Sequence, residues 1–488
     1  MTGQAVSRRI ELRLNRHRLW RWQLELARVL AGDAGVRLTA RMVDGPALPA
    51  ALGLLLALEG PAYRLRGHHA CDRLGEADFA QWRAAEHGAD LVLDFAGDAG
   101  EGAGPEAWHL RYDESPDDDA LLAAALAGHP ATMTVVDGQG RIRASGYPAI
   151  EDPTVTTRAL DTLFSGLLRI VLKALRSDGE VAAAAPPRRA APSVTVATVV
   201  AAGAGSLAEK LCGRLTQLCR RPPNWSVAWR RIDPSADFSH LDIASYRPMP
   251  QDAGRYFADP FPIEVNGQTH LFVEEFPYAT GKGIISVATL GEDGPSAARP
   301  VLETDVHLSY PHVFAHAGEI YMIPETMEAD AVRLYRAERF PDRWVHEATL
   351  LDGIRASDAT LIQRDGSWWM FVTTRAWWGS TWDSLNVFWA DDLHGPWSPH
   401  PGNPVTVDCR YARPAGHFFE HAGALWRPAQ DCSDGYGSGL AFCRVDRLDR
   451  ARVEQSPQHL IRMRADGVKR GPHTFNRCGS LEAIDVLR

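Results

Sequence analysis

The strongest constraint on this chain is a repeat. Four segments, residues 259–267, 310–318, 358–366 and 415–423, align without a gap on a closing glycine, and each runs into an apolar stretch at 268–275, 319–326, 367–374 and 424–431. The glycines Gly267, Gly318, Gly366 and Gly423 stand 51, 48 and 57 positions apart. Pairs such as Asn266-Gly267 and Asp365-Gly366 between strand-like runs predict two-residue hairpins. A third strand follows in each unit, and Trp344 and Trp397 begin material suited to a fourth. A period of about 50 residues with three or four strands is the signature of a β-propeller blade. A fifth blade is expected from the two ends of this half, residues 224–232 pairing with 481–488, because closing the ring removes exposed strand edges.

The hairpins also place side chains. With the glycine and its predecessor in the turn, the residue eight before the glycine faces the residue seven after it. The expected pairs are Asp259 with Glu274, Tyr310 with Glu325, Asp358 with Thr373 and Ala415 with Gln430, all at one end of their blades. Around a ring these ends converge, so Asp259, Glu274, Glu325, Asp358 and Gln430 should meet at one mouth, with His312, Arg413, Arg427, Asp431 and Tyr436 nearby. Glycoside chemistry needs such carboxyls, one protonated to free the leaving oxygen and another ionised as base or nucleophile. Asp259, Glu325 and Asp358 are the catalytic candidates, and no metal ligand set is expected. Eleven of the 15 tryptophans follow position 220. Trp368, Trp369, Trp389 and Trp426 suit the blade core, whereas Trp377, Trp378 and Trp382 crowd a loop beside Gly379, where an indole face could meet a sugar ring.

The first half reads differently. Strand-like segments at 9–14, 36–42 and 89–97 alternate with helix-like ones at 19–30 and 47–57, and a further helix at 155–175 closes a domain of residues 1–177. That order predicts an α/β, Rossmann-like sheet of mostly parallel strands. Residues 178–223 read as an Ala/Pro-rich spacer and a connecting helix, leaving 224–488 for the propeller. Gly203 and Gly205 follow a β-branched run in a spacing that can cradle a pyrophosphate, but Pro222 and Pro223 interrupt the βαβ unit it would need. A connecting strand and helix is the reading preferred there.

Charge and cysteine content narrow the partners. Lys plus Arg number 52 against 61 Asp plus Glu, a net charge of −9, the wrong sign for a nucleic-acid binder. Seven cysteines without a CxxC pair suggest neither a disulfide framework nor a zinc site and fit a reducing cytoplasm. The first residues do not read as a signal peptide, and the apolar runs at 50–58 and 194–204 are about half the length a bilayer crossing needs. Peripheral membrane contact remains compatible with this composition.

Several motifs carry a resemblance. Asp259-Pro260, Ile323-Pro324-Glu325, Ser357-Asp358-Ala359, the run from Arg427 to Asp431 with Tyr436-Gly437, and His473 to Asn476 resemble the five-bladed propellers of glycoside hydrolase family 43. They resemble still more the N-terminal domain of glucosamine inositolphosphorylceramide transferases and its bacterial relatives. The family 43 likeness implies that Asp259 is a general base and that Asp358 orients and tunes the acid; His473 is a further substrate-binding candidate. No Glu on the fourth blade matches the family's acid, which leaves Glu325 for that role. The first 175 residues resemble the formyltransferase fold, with His109 lacking the Pro-Ser that follows in that family. The expected function is glycosyl transfer at the propeller mouth in surface glycan or glycolipid biosynthesis. The alternatives are a glycan-binding module, a family 43 type hydrolase and a sugar N-formyltransferase. The expected ligands are a glycan, a glycolipid or a sugar-nucleotide donor, with no other cofactor identified.

Overall fold

The structure is a computed structural model that describes residues 8–83, 88–96, 107–176, 193–217, 224–462 and 468–488. It divides into two compact units, Met1–Cys219 with Trp377–Ser380, and Arg220–Ala376 with Thr381–Arg488.

The first unit comprises β1 (Arg8–Asn15), α1 (Arg21–Ala31), β2 (Val36–Val43), α2 (Ala50–Tyr63), β3 (Leu91–Phe95), β4 (Ala107–Tyr112), α3 (Asp119–Ala127), β5 (Met133–Val136), β6 (Ile142–Gly146), α4 (Thr156–Arg176) and α5 (Val196–Gln217). Its six-stranded sheet runs β2-β1-β3-β4-β5-β6, parallel as far as β4 and antiparallel beyond. The expected α/β fold is therefore present, with two added antiparallel strands. Helix α4 is buried along nearly its whole length, through Leu160, Leu163, Phe164, Leu167 and Ile170 among others. Phe164 stacks on Trp22 at 5.7 Å, and Trp22 meets Phe95 edge-on at 5.2 Å, joining helix and sheet. Gly166 permits the close approach of Pro148, whose Cβ would lie 2.4 Å from an added methyl group. The connecting strand expected near residue 196 is helix instead. Gly203 and Gly205 lie inside α5, which groups with the first unit, while residues 178–192 of the expected spacer lie outside the described residues.

The second unit is a five-bladed propeller, with five antiparallel sheets taken in turn along the chain. The first four blades begin at the strands Arg255–Val265, Ser309–His316, Ala356–Arg364 and Phe419–His421. The fifth joins Phe475–Cys478 and Leu481–Leu487 to Trp225–Arg231, with Leu481 opposite Arg231 and Leu487 opposite Trp225. The ring closes as the two ends predicted. Each of the four repeat glycines has positive φ, and so do Asn266, Ala317, Asp365 and Ala422 before them, giving the paired left-handed turn that favours tight hairpins. Blade cores are apolar and aromatic. Phe261, Phe272, Tyr310, Met322 and Trp344 share one cluster, and Ile323, Leu334, Leu361, Trp368 and Met370 another.

Candidate active site at the propeller mouth

In the first three blades the leading strand breaks register just before the mouth. Asp259, Tyr310 and Asp358 each have positive φ, at 48°, 44° and 58°, and each falls in a bulge that skips one partner. Glu274 consequently faces Ala258, Glu325 faces Ser309, and Thr373 faces Ser357. The expected pairings are off by one residue, because a bulge adds a residue that regular alternation does not count. Bulges re-aim side chains, and repeating one at the same level of three blades directs three side chains into the ring.

Hydrogen bonds then link blade to blade. The Asp259 N–H donates to Asp485 Oδ2 at 2.9 Å on the closing blade, and Asp259 Oδ2 accepts from the Tyr310 N–H at 3.1 Å on the second. The Tyr310 hydroxyl shares a 2.8 Å hydrogen bond with Thr360 and accepts from the Gly416 N–H at 2.6 Å. Asp358 accepts from Arg413 Nε at 2.6 Å and from Gln430 Nε2 at 2.8 Å. Arg413 also reaches Glu325 at 3.6 Å and lies over the Tyr436 ring, 5.3 Å from its centroid. The structure therefore gathers Asp259, Glu274, Glu325, Asp358, Arg413, Gln430, Tyr436 and His473.

Protonation follows from this crowding. Burial, with the charges of Asp485 and Asp358 added and His473 opposing, pushes Asp259 up to about 6. Glu325 is pushed up to about 7 by burial and the adjacent Asp358, against the pull of Arg413. Glu274 is raised well above the carboxylate range by burial and by Asp259 and Glu325. His473 hands its Nδ1 to Asp485 Oδ1 at 2.7 Å and presents Nε2 to Asp259 Oδ1 at 3.4 Å. Burial opposes its charge, but Asp485 and Asp259 outweigh that and raise its pKa.

Other candidates lie elsewhere. His312 is buried among Phe261, Phe314 and His417, and its Nε2 accepts from the Leu361 N–H at 3.1 Å, so it joins the second blade to the third. Burial and His417 hold it well below the ordinary histidine range. Arg427 is fully buried and donates to the carbonyls of Tyr411 and Ala412 and to Gln455, fixing the chain that leads to Arg413. Asp431 holds Ser433 and Arg462. Trp377 and Trp378 group with the first unit. His312, Arg427 and Asp431 owe these framework roles to backbone paths that strand spacing does not encode.

Sequence reasoning missed Asp485, Thr474, Trp225 and Tyr256, whereas it singled out Trp382 as a ring that could meet a sugar. Thr474 Oγ1 donates to Asp259 Oδ1 at 2.6 Å, Trp225 packs 4.1 Å from the His473 ring, Tyr256 donates to Glu274 at 3.4 Å, and Trp382 lies 6.0 Å from Tyr436. An Asp inside the apolar run 483–487 of a closing strand was the available signal for Asp485.

Asp259, His473 and Asp485 also bring one potential metal-ligand atom each within 4.8 Å of one another. Their atoms are already engaged: Asp485 Oδ1 accepts from the N–H groups of His473 and Thr474, both at 3.0 Å, and from the His473 ring. That donor set fits a hydrogen-bonded relay better than a cation cage, which needs free oxygen lone pairs.

The propeller matches a known family. A sequence model described as "Glucosamine inositolphosphorylceramide transferase 1, N-terminal" covers residues 240–477. Glucosamine inositolphosphorylceramide transferase 1 of Oryza sativa subsp. japonica is 34% identical over 227 residues, 45% of this chain and 30% of the relative. Its namesake in Arabidopsis thaliana is 31% identical over 263 residues, 52% and 32% respectively. The chain thus spans about a third of the length of the curated relatives it matches, and these distant homologues are named as transferases. Among solved structures, an exo-β-1,3-galactanase from Clostridium thermocellum aligns with 13% identity and a TM-score of 0.35, over 48% of this chain and 60% of that one.

Proposed function

We propose that the propeller mouth transfers a glycosyl unit to an acceptor hydroxyl on a glycan or glycolipid, with Glu325 as acid and Asp259 as base. The observation that carries this reading is that carboxyls from different blades, Asp259 beside His473 and Glu325 beside Arg413 and Asp358, are brought together at one mouth, where burial and crowding push them up to about 6 and about 7. Near neutral pH such a pair holds one proton to give and one site to receive. Glu325 donates its proton to the oxygen that leaves the anomeric carbon. Asp259 takes the proton of the attacking hydroxyl on Oδ2, where one lone pair remains beside the Tyr310 N–H. His473, steadied by Asp485, stabilises the anionic Asp259, and Asp358 keeps Glu325 protonated while Arg413 and Gln430 hold Asp358 in place. The relatives' name supports a sugar donor and an inositolphosphorylceramide-like acceptor, and Trp382 and Tyr436 supply apolar faces suited to a sugar ring.

The test pairs melting temperature with turnover, using sugar-nucleotide donors and an inositolphosphorylceramide acceptor, for Asp259→Asn, Glu325→Gln and Asp358→Asn. Each nearly isosteric change should keep the fold and lower turnover by about 10² or more. Undiminished turnover in three folded variants overturns the assignment. Unchanged glycan binding by a wild type without turnover would make the mouth a binding module instead.

A further inference from the structure

Eight large hydrophobic side chains are exposed among the described residues, and six of them lie on two helices of the first unit. Leu54 and Leu58 on α2 and Val196, Val200, Leu207 and Leu211 on α5 are each 54–68% exposed. The two helices pack together: the Tyr63 hydroxyl bonds the Ser206 hydroxyl, Lys210 Nζ donates to the Ala62 carbonyl, and its ammonium sits 4.5 Å from the Tyr63 ring centroid. Gly203 allows the approach, since a methyl group there would come 3.1 Å from Leu55. The outcome is one apolar face built from two helices rather than leucines scattered over a surface. Scattered apolar residues are ordinary, whereas a contiguous group marks an interaction site.

The charge around this face selects the partner. Residues 46–58 and 194–207 contain no charged side chain. Beyond them stand Arg64, Arg66 and Lys210, against the exposed acid Glu209. Glu59 is turned inward, where it accepts from the N–H groups of Thr156 and Thr157 at 2.9 and 2.7 Å. A chain of net charge −9 thus borders this apolar face with more basic than acidic residues among those described. That arrangement suits an interfacial helix pair at an anionic lipid surface, where leucines enter the acyl boundary and arginines meet phosphate. No helix among the described residues is long and apolar enough to cross a membrane. A second copy of the chain would bring like-charged rims together.

We propose that α2 and α5 form a docking surface for an anionic lipid bilayer. The inference stands on the helices alone and is independent of the chemistry assigned to the propeller, although a glycolipid acceptor would lie in such a bilayer. The experiment is flotation of the full chain with vesicles of phosphatidylcholine alone and of phosphatidylcholine with 30 mol% phosphatidylglycerol, as probes free of any glycolipid. The wild type should bind the anionic vesicles at least tenfold more tightly, and binding should weaken severalfold as salt rises. Leu54→Glu with Leu58→Glu, and separately Val200→Glu with Leu207→Glu, should each lower binding at least tenfold at unchanged melting temperature. Leu460→Glu, an exposed leucine on the propeller, should change nothing. Asp259→Asn should float as the wild type does, so that a failed mouth and a failed docking face give separate results. Wild type that stays with neither vesicle, variants that bind undiminished, or a dimer in light scattering that the leucine variants dissolve would each overturn the proposal.

Discussion

The molecule gathers acids in two places, and it pairs them differently. At the propeller mouth, Asp259, Glu274, Glu325, Asp358 and Asp485 face one arginine, Arg413, and one histidine, His473. In the first unit, a cleft of about 240 Å³ is lined by Asp94, His109, Tyr112, Asp118 and Asp137, and its acids have basic partners. Asp94 meets Arg13 at 2.6 Å and His109 at 3.6 Å, Asp118 bonds Arg18, and Asp137 meets Arg141 at 2.8 Å. Asp118, squeezed by burial and its acidic neighbours, still rises to about 6 despite Arg18, whereas Asp137 sits below the ordinary range. The lesson is that burial raises carboxyls in both places, and that the mouth adds to it a gathering of acids around few bases, whereas the cleft sets a base beside each acid.

The largest effect should come from the way the two units are closed. The first unit's sheet is assembled within residues 8–146, but the propeller depends on Leu481–Leu487, which pairs on both sides and delivers Asp485. Removal of residues 481–488 should abolish the propeller's calorimetric transition and leave that of the first unit. A retained cooperative propeller transition would show that the ring closes without its C-terminal strand.

Next in size is the loss of Arg413, the arginine that pairs with the mouth's acids. Arg413→Gln leaves Asp358 and Glu325 buried without a cation and should cost about 3–5 kcal/mol. Arg13→Gln in the cleft should cost less, about 1.5–3 kcal/mol, because Asp94 keeps the Ala96 N–H at 3.0 Å and His109. Equal losses in denaturant titrations would erase the distinction between the two groups.

The pH dependence should carry the same difference. Asp259 and Glu325 bind protons more tightly folded than unfolded, so their contribution is full below about pH 4 and is lost as pH rises through about 6 and 7. Each shift of about two units corresponds to about 3 kcal/mol, shared between coupled groups rather than summed. Glu325→Gln should flatten the fall in propeller stability between pH 4.5 and 8 relative to wild type. A parallel pair of curves would mean that Glu325 titrates normally.

Much of this was legible in the sequence, for reasons tied to particular residues. The turn glycines at 267, 318, 366 and 423 marked four blades and the register next to each turn, and the apolar ends 224–232 and 481–488 announced the fifth, closing blade. Asp259, Glu325 and Asp358 reach the mouth because they sit at one level of three repeats. The bulges were not legible: a positive φ at Asp259, Tyr310 or Asp358, with the extra residue it accommodates, is not encoded in strand alternation. Nor could spacing tell that His312 and Arg427 serve the frame, since their partners Leu361 and Tyr411 are backbone groups whose identity is invisible in side-chain patterns. Asp485 lies 226 positions from Asp259, and only the closed ring brings them together.

The smallest effect belongs to Arg141, and it should have the opposite sign in pH. Asp137 accepts from the backbone N–H groups of Gln139 and Arg141 and from Arg141 Nε, at 2.9, 2.9 and 2.8 Å. Burial works against its charge, but these donors prevail and hold its pKa below the ordinary carboxylate value. A depressed pKa contributes stability above about pH 4 that is lost as acid titrates the group, the reverse of Asp259 and Glu325. Arg141 is half-exposed, so water screens the pair, and Arg141→Gln should cost well under about 1 kcal/mol at pH 7. The informative quantity is the slope: the variant should lose less stability than wild type on going from pH 5 to pH 3 in the first unit's transition, with the propeller's transition unmoved. If the first unit instead gained stability in acid as the propeller does, pairing each acid with its own base would not explain why the cleft and the mouth differ.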